Sequence, residues 1–327
     1  MKLYIRTPYT EDKIEELRKY FDEIVYEPWT DTGERYYEDE MLEKLLLVKP
    51  DVVVTELDRI TEKVLSGYEG LKFIGDCRAT PANIEVEACT KHKVPILCTP
   101  GRNSQAVAEM VVGLLLTEMR NIIPSTNWIK EGKWVKGTTP YYTWMGNELC
   151  GKEVGFVGMG AIAKIVANIL EAFGCKISFY DPFLETYKNY KKKDLNAIFK
   201  DSDIVTIHVP VIDSTHKMIK KEHFDLMKPT SIFVNVSRTW MVDMDAFYDT
   251  MKNKKIKAAI TDVLDEEPPT EEALKIGKLD NVLLTPHICG ATFEVANHQT
   301  DIINDRIIRY LEGKDLDKIV YNKDVLK

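Results

Sequence analysis

Two doubly wound α/β domains, each built on a parallel sheet, are what the sequence predicts, and three observations predict them. Short apolar runs bounded by polar or glycine residues recur along the chain, and stretches with apolar residues at helical spacing separate them. The length, 327 residues, exceeds what one hydrophobic core ordinarily holds. Strands buried on both faces read as continuous apolar runs, and parallel pairing needs a helix-length crossover between them.

The first hundred residues give one such domain. "KLYIR", "EIVYE", "DVVVT", "LKFIG" and "VPILC" are its strand-like runs, with Glu11 to Phe21, Tyr37 to Leu47 and "IEVEACTKH" continuing the alternation. From Ser104 to Arg120 apolar residues recur at helical spacing nearly all round, so this helix is expected to be buried, in a domain or subunit interface. After the aromatic-rich stretch from Trp128 to Trp144 a second alternation starts with "KEVGFVGMGAIAKIVANILEAFG" and "KISFYD". It continues through "DIVTIHVP", "SIFVNVS", "KAAITDVL" and "NVLLTPHI", a second parallel sheet. The amphipathic stretch from Phe293 to Leu311 is expected to carry the tail back to the first domain.

Composition excludes several functions. A net charge of -8 argues against a nucleic-acid partner, which requires a concentrated basic surface. The run Lys191 to Lys193 reads as a solvated face. No apolar run approaches the roughly 20 residues that span a bilayer, so no membrane role is expected. "MKLYIRTPYT" enters a strand pattern at once, without the features of a signal peptide. The six cysteines show no metal-ligand spacing, so no metal site is expected and the thiols are read as reduced, in a cytoplasmic protein.

"VGFVGMGAIA" sets Gly158, Gly160 and Ala163 in a G-x-G-x-x-A arrangement between a strand and a helix. Small residues there allow a tight turn, close approach of backbone to a pyrophosphate, and a helix N-terminus aimed at its charge. The following strand ends at Asp181, whose carboxylate is placed to accept both hydroxyls of an adenosine ribose. Its negative charge opposes the 2'-phosphate of NADP and no arginine follows it in "DPFLETYK", so NAD is the expected cofactor.

Three residues past later strands are suited to moving a hydride at a 2-oxo acid: Arg238 in "NVSRTWMVD", Glu267 in "TDVLDEEPP" and His287 in "TPHICG". Histidine as a residue type titrates near neutral pH, about 6.5, which suits it to proton transfer to and from the substrate oxygen. Glutamate can orient the imidazole and favour its protonated form, and the arginine fork can clamp carboxylate and carbonyl. Each lies at the strand edge where doubly wound sheets bind ligands.

The chain resembles the D-isomer-specific 2-hydroxyacid dehydrogenase family, which includes phosphoglycerate dehydrogenases. "PGRNSQAVAE", "GKEVGFVGMGAIA", "YDP", "HVP", "NVSR", "DVLDEEP" and "TPHICG" occur in that family's order and spacing across nearly the whole chain. The resemblance implies that Arg238, Glu267 and His287 are catalytic, and that Asp262 lies near the nicotinamide carboxamide. It further implies that Ala161, Ile162, His208, Pro210, Thr215, Val236 and Gly290 line the cofactor. It places the substrate carboxylate on backbone amides of a loop that here carries Arg78, Ala79 and Thr80. A homodimer is implied, and no C-terminal regulatory domain is expected. Together, pattern and resemblance give a Rossmann NAD-binding domain, residues 102–296, inserted in a flavodoxin-like substrate domain, residues 1–101 and 297–327. Linkers near Pro100 and Thr292 are the expected hinges.

The chain also departs from the family. Family members often have glycines where Arg78 to Thr80 stand, and Pro81 offers no N–H. Arg78 is therefore open to two readings, a contact to a second anionic or hydroxylated group of the substrate or a structural salt bridge. Thr239 replaces a common glycine, Trp240 adds bulk beside Arg238, and Cys289 is read as packing. Relatives that oxidise formate pair the histidine with glutamine, so Glu267 speaks against that chemistry.

Overall fold

Val52, Val53, Val54 and Thr55 are four β-branched residues in a row, and in the computed structural model, which describes residues 1–327, they form a strand buried on both faces. The chain divides into two units, Met1–Asn103 with Thr292–Lys327, and Ser104–Ala291. The sequence reading sets these junctions at 101/102 and 296/297.

The first unit holds a sheet of β1 (Lys2–Ile5), β2 (Glu23–Tyr26), β3 (Val52–Thr55), β4 (Phe73–Asp76) and β5 (Ile96–Cys98), in the order β2-β1-β3-β4-β5. Every pairing is parallel. One face buries Leu3, Ile5, Val52, Val54 and Phe73 against Ile303 and Ile307 of the helix Val295–Leu311, the segment expected to return to this unit. The other face packs on Met41 and Leu45 of Glu38–Val48 and on Val64 and Leu65 of Glu62–Gly67. "IEVEACTKH" supplies the short helix Val86–Lys91.

The second unit holds seven parallel strands: β6 (Glu153–Val157), β7 (Lys176–Tyr180), β8 (Lys191–Lys192), β9 (Ile204–Ile207), β10 (Ile232–Asn235), β11 (Ala258–Thr261) and β12 (Val282–Leu284). Their order is β12-β11-β10-β9-β6-β7-β8, so the strand order reverses between β6 and β9. Register aligns Leu284, Thr261, Asn235, Ile207, Val157 and Tyr180 in one row across the sheet. The loops that follow these residues therefore share the carboxyl edge, with neighbouring strand ends about 4.8 Å apart.

Ser104–Met119 buries Ala108, Val111, Leu115 and Met119 in the core of this unit, where it packs on the helix Ala161–Ala172. Its all-round apolar character is thus largely spent within the unit, and Gln105, Glu109 and Gly113 form its exposed strip. Beyond it, Ile122, Ile123, Ile129, Trp134, Tyr141 and Tyr142 are between 46% and 77% exposed. The lysine run forms edge strand β8, its charges paired as Lys192–Glu185 and Lys193–Asp201. No helix is long and apolar enough to cross a membrane. All six cysteines are unpaired, and no group of three His, Cys, Asp or Glu is placed to hold a metal ion.

Candidate active site

The glycine turn follows β6. Gly158 has φ +89°, and a Cβ there would lie 2.7 Å from the carbonyl oxygen of His208, so both conformation and space require glycine. Gly160 differs: a Cβ would meet nothing within 4 Å, and the residue caps the helix Ala161–Ala172 without any side-chain hydrogen bond. The N–H groups of Ala161, Ile162 and Ala163 precede the helix's own ladder, which starts with Lys164 N–H donating to Gly160 O. Free amides at a helix start where Gly160 leaves open space fit an anionic pyrophosphate.

Asp181 stands at the end of β7, half-buried, and its two oxygens accept the backbone N–H groups of Met159 and Phe183, each at 2.9 Å. The carboxylate is thereby fixed against the glycine turn. Each oxygen keeps a second lone pair for a ribose hydroxyl.

His208 and Pro210 follow β9 on the other side of the turn. The His208 ring stacks on Phe156, and its Nε2 lies 2.9 Å from Thr206 Oγ1. Burial pushes its pKa down to about 4, so the imidazole is neutral at physiological pH. The Thr215 hydroxyl is committed to its own loop: it donates toward Pro210 O (2.7 Å) or Ile212 O (2.8 Å) and accepts from Ile212 N–H (3.1 Å). Val236 is buried directly after β10.

Arg238 follows β10. Asn235 holds its turn by donating from Nδ2 to Arg238 O (2.9 Å) and accepting Ser237 N–H at Oδ1 (3.1 Å). The guanidinium is exposed, donates to Ser237 O at 2.6 Å and has no carboxylate partner, which leaves its charge available to an anion. Thr239 is accommodated without a positive φ, since Arg238 itself is extended (φ -151°). Trp240 packs at a tilt against His216 and donates Nε1–H to Ile212 O (3.1 Å), so its bulk ties this turn to the loop after β9.

Glu267 and His287 follow β11 and β12. His287 Nδ1 lies 2.6 Å from Glu267 Oε2, with both side chains about 40% exposed. His287 has a left-handed backbone (φ 56°), uncommon for a residue with a Cβ, and its N–H donates to Thr285 O. Glu267 occupies Nδ1, so Nε2 is the nitrogen left for chemistry.

Asp262, fully buried at the end of β11, accepts the N–H of Ile288 (3.0 Å), the N–H of Cys289 (2.8 Å) and the Thr285 hydroxyl. It braces the segment from 285 to 290 that includes His287 and Gly290. Burial pushes the Cys289 thiol far up, in keeping with a packed side chain. Neither Asn235 nor Thr285 was singled out in the sequence, although both lie inside the quoted motifs as polar residues at strand ends.

The first unit carries the remaining candidates. Arg78, Ala79 and Thr80 follow β4 at its carboxyl edge, with Ala79 and Thr80 exposed and Arg78 half-buried. Arg78 O accepts Thr99 N–H at 2.8 Å. The Arg78 guanidinium forms no ion pair within 4.0 Å and no side-chain hydrogen bond, although its charge acts on the Asp76 carboxyl; Arg102, by contrast, pairs with Glu56.

Comparison with known proteins identifies what the chain is similar to. The family described as "D-isomer specific 2-hydroxyacid dehydrogenase, NAD binding domain" matches residues 112–289. The protein YoaD of Bacillus subtilis (strain 168), which carries a 2-hydroxyacid dehydrogenase name, is 40% identical over 100% of this chain and 96% of its own length. A D-3-phosphoglycerate dehydrogenase of Methanocaldococcus jannaschii is 34% identical over 98% of this chain, which spans only 59% of that relative. Among solved structures, an acyclic imino acid reductase in complex with NADPH and D-Arg superposes with a TM-score of 0.78 at 25% identity, covering 98% of this chain and 99% of the other.

Proposed function

The chain belongs to the D-isomer-specific 2-hydroxyacid dehydrogenase family, and we propose that it exchanges a hydride between NAD and a small D-2-hydroxy acid or its 2-oxo acid, with Arg238, Glu267 and His287 as its catalytic residues. Membership makes it an oxidoreductase acting on the CH–OH group of 2-hydroxy acids through a nicotinamide dinucleotide. The carrying observation is that these three residues follow the adjacent strands β10, β11 and β12 on the edge that bears the glycine turn, with His287 already held by Glu267 at 2.6 Å.

When bound, the dinucleotide supplies or accepts the hydride. In the reductive direction His287 gives a proton from Nε2 to the substrate oxygen, and in the oxidative direction it takes that proton back. Glu267 fixes the ring and its tautomer through Nδ1. Arg238 holds the substrate carboxylate and polarises the adjacent carbonyl with a guanidinium that nothing else neutralises. Arg78, Ala79 and Thr80 are the substrate contacts contributed by the loop after β4.

The free amides at Gly160 and the anchored Asp181 support a dinucleotide at the turn, with Ala161, Ile162, His208, Pro210, Thr215, Val236, Asp262 and Gly290 around it. Asp181 favours NAD over NADP by charge, although a solved relative binds NADPH. The exposed apolar residues from Ile122 to Tyr142 support a homodimer formed by this unit. A small-molecule substrate, no nucleic-acid or membrane partner, and a cytoplasmic location complete the reading. The test is loss of NADH absorbance with glyoxylate, hydroxypyruvate, phosphohydroxypyruvate and pyruvate. Tight NADH binding without turnover of any 2-oxo acid would reject it in favour of an NADH-sensing role on the same scaffold.

A further inference from the structure

At the carboxyl edge of the first sheet sits a cluster of which the proposed chemistry uses Arg78 alone. Asp76, the last residue of β4, is fully buried, and neither of its carboxyl oxygens has a hydrogen-bond partner. The nearby Asn83 amide gives one Nδ2–H to Asp58 O at 3.1 Å. Around Asp76 stand Glu56 beyond β3, Arg102 beyond β5 and Arg78 on its own loop, together with the thiols of Cys77, Cys89 and Cys98. The helix Val295–Leu311 presents the uncharged Gln299. Arg102 is taken by Glu56 and Gln299, and Glu56 also accepts Trp29 Nε1–H at 3.1 Å and the Thr7 hydroxyl at 3.2 Å. Arg78 is the one cation of the cluster left over.

We propose that Arg78 and Asp76 form a distal-anion subsite, in which Arg78 takes the second anionic group, carboxylate or phosphate, of an extended 2-oxo acid and Asp76 is the internal acid that competes for the same guanidinium. This rests on the dehydrogenase reading, which brings the substrate to the loop after β4. Two facts carry it. A half-buried guanidinium beside a ligand-binding edge, with no partner of its own, attracts an anion. A buried carboxyl whose two oxygens accept no hydrogen bond favours its protonated form, since ionisation there is poorly compensated.

The two facts are coupled. Burial, helped by the charge of Glu56, raises the Asp76 pKa to about 7, and Arg78, Arg102 and the Asn83 amide act against that rise. Below that pH Asp76 is neutral and Arg78 is free to face substrate. Above it Asp76 is charged and draws Arg78 inward. Affinity for a distal anion therefore falls as pH rises through 7, whereas affinity for a 2-oxo acid with an uncharged tail does not.

The test compares 2-oxoglutarate with 2-oxopentanoate, which has the same chain length but no distal charge. Binding of each to the NAD⁺-loaded protein is measured by titration calorimetry at pH 6 and pH 8.5. The distal carboxylate is ionised at both, whereas a phosphate titrates near 6 and is unsuited to this arm. The expected result is a preference for 2-oxoglutarate of about tenfold or more at pH 6, shrinking several-fold at pH 8.5. Arg78→Gln, at an exposed loop, loses the preference at both pH values. Asp76→Asn keeps it at both. Phosphohydroxypyruvate against hydroxypyruvate at pH 8.5, in Asp76→Asn, then tells which anion fits better. No preference in the wild type, or one that survives Arg78→Gln, overturns the subsite; a preference that falls with pH equally in Asp76→Asn overturns the competition. Should Asp76→Asn fail to fold, the infrared C=O band of a protonated carboxyl decides: it must vanish between pH 6 and 8.5, at lower pH in wild type than in Arg78→Gln. Glyoxylate reduction, measured alongside, reports on the dehydrogenase reading by itself.

Discussion

The Asp262 carboxylate accepts the backbone N–H of Cys289 at 2.8 Å, a bond that ties the end of β11 to the segment bearing His287. With Ile288 N–H and the Thr285 hydroxyl it makes Asp262 the brace of that segment. Asp262→Ala leaves buried donors unpaired at about 1–3 kcal/mol each. The variant is expected to melt at markedly lower temperature and, where folded, to lose about 10² in kcat because His287 is no longer held in place. Unchanged melting and turnover would reject the bracing role.

Glu267 and His287 are expected to act as a pair. His287→Ala removes the proton carrier and should lower kcat by about 10²–10⁴ while NADH still binds, as tryptophan fluorescence quenching would report. Glu267→Gln should lower kcat less, and the double variant should be no worse than His287→Ala alone. Additive losses in the double variant would mean that Glu267 works independently of the imidazole. Arg238→Lys, which keeps charge but not the fork, should raise the KM for 2-oxo acids and lower kcat.

Much of this was legible because parallel strands write themselves as apolar runs, and chemistry sits where those runs stop. Gly158, Asp181, Arg238 and His287 all lie within a few residues of such a stop. What sequence could not supply was the pairing of side chains across loops. Asp262 gathering the Ile288 and Cys289 amides and the Thr285 hydroxyl depends on the register of β11 against β12, and Asn235 clamping Arg238 depends on how the turn after β10 folds back. The helix Ser104–Met119 illustrates the same limit: periodicity predicts burial, but only tertiary packing shows that the Ala161–Ala172 helix is its partner. Asp76 carried no signal, since a lone acid after "KFIG" looks like any strand end.

The two glycines of the turn separate folding from binding. Gly158→Ala forces a Cβ to 2.7 Å from His208 O at φ +89°, so it should destabilise the fold by about 1–3 kcal/mol or more. Gly160→Ala, at φ -75° and facing open space, should melt like the wild type yet bind NADH and ADP-ribose at least about tenfold more weakly. Unaltered dinucleotide affinity in Gly160→Ala would place the pyrophosphate elsewhere.

Asp181→Ala should narrow the preference for NAD over NADP, chiefly by weakening NAD as the ribose acceptor goes. Because the Asp181 carboxylate also anchors Met159 N–H, Asp181→Asn is the milder comparison. Relative Kd values for NADH and NADPH give the answer, and an unchanged ratio in both variants would assign cofactor choice to other residues.

Stability should carry the mark of Asp76. Its folded-state pKa, about 7, lies above the ordinary carboxylate value of 3.8, so the folded protein keeps a proton that the unfolded chain releases. The stability from that proton is present in full below about pH 4 and is lost as pH rises toward 7. At about 1.4 kcal/mol per unit, the loss is on the order of 4 kcal/mol. Asp76→Asn stays neutral throughout, so the variant should gain on the wild type as pH goes from 5 to 8, whatever the substitution costs at pH 5. Urea denaturation of both proteins at these two pH values measures the gain. A difference between them that stays constant with pH would mean that folded Asp76 is already ionised at pH 5, and the competition for Arg78 would lose its physical basis.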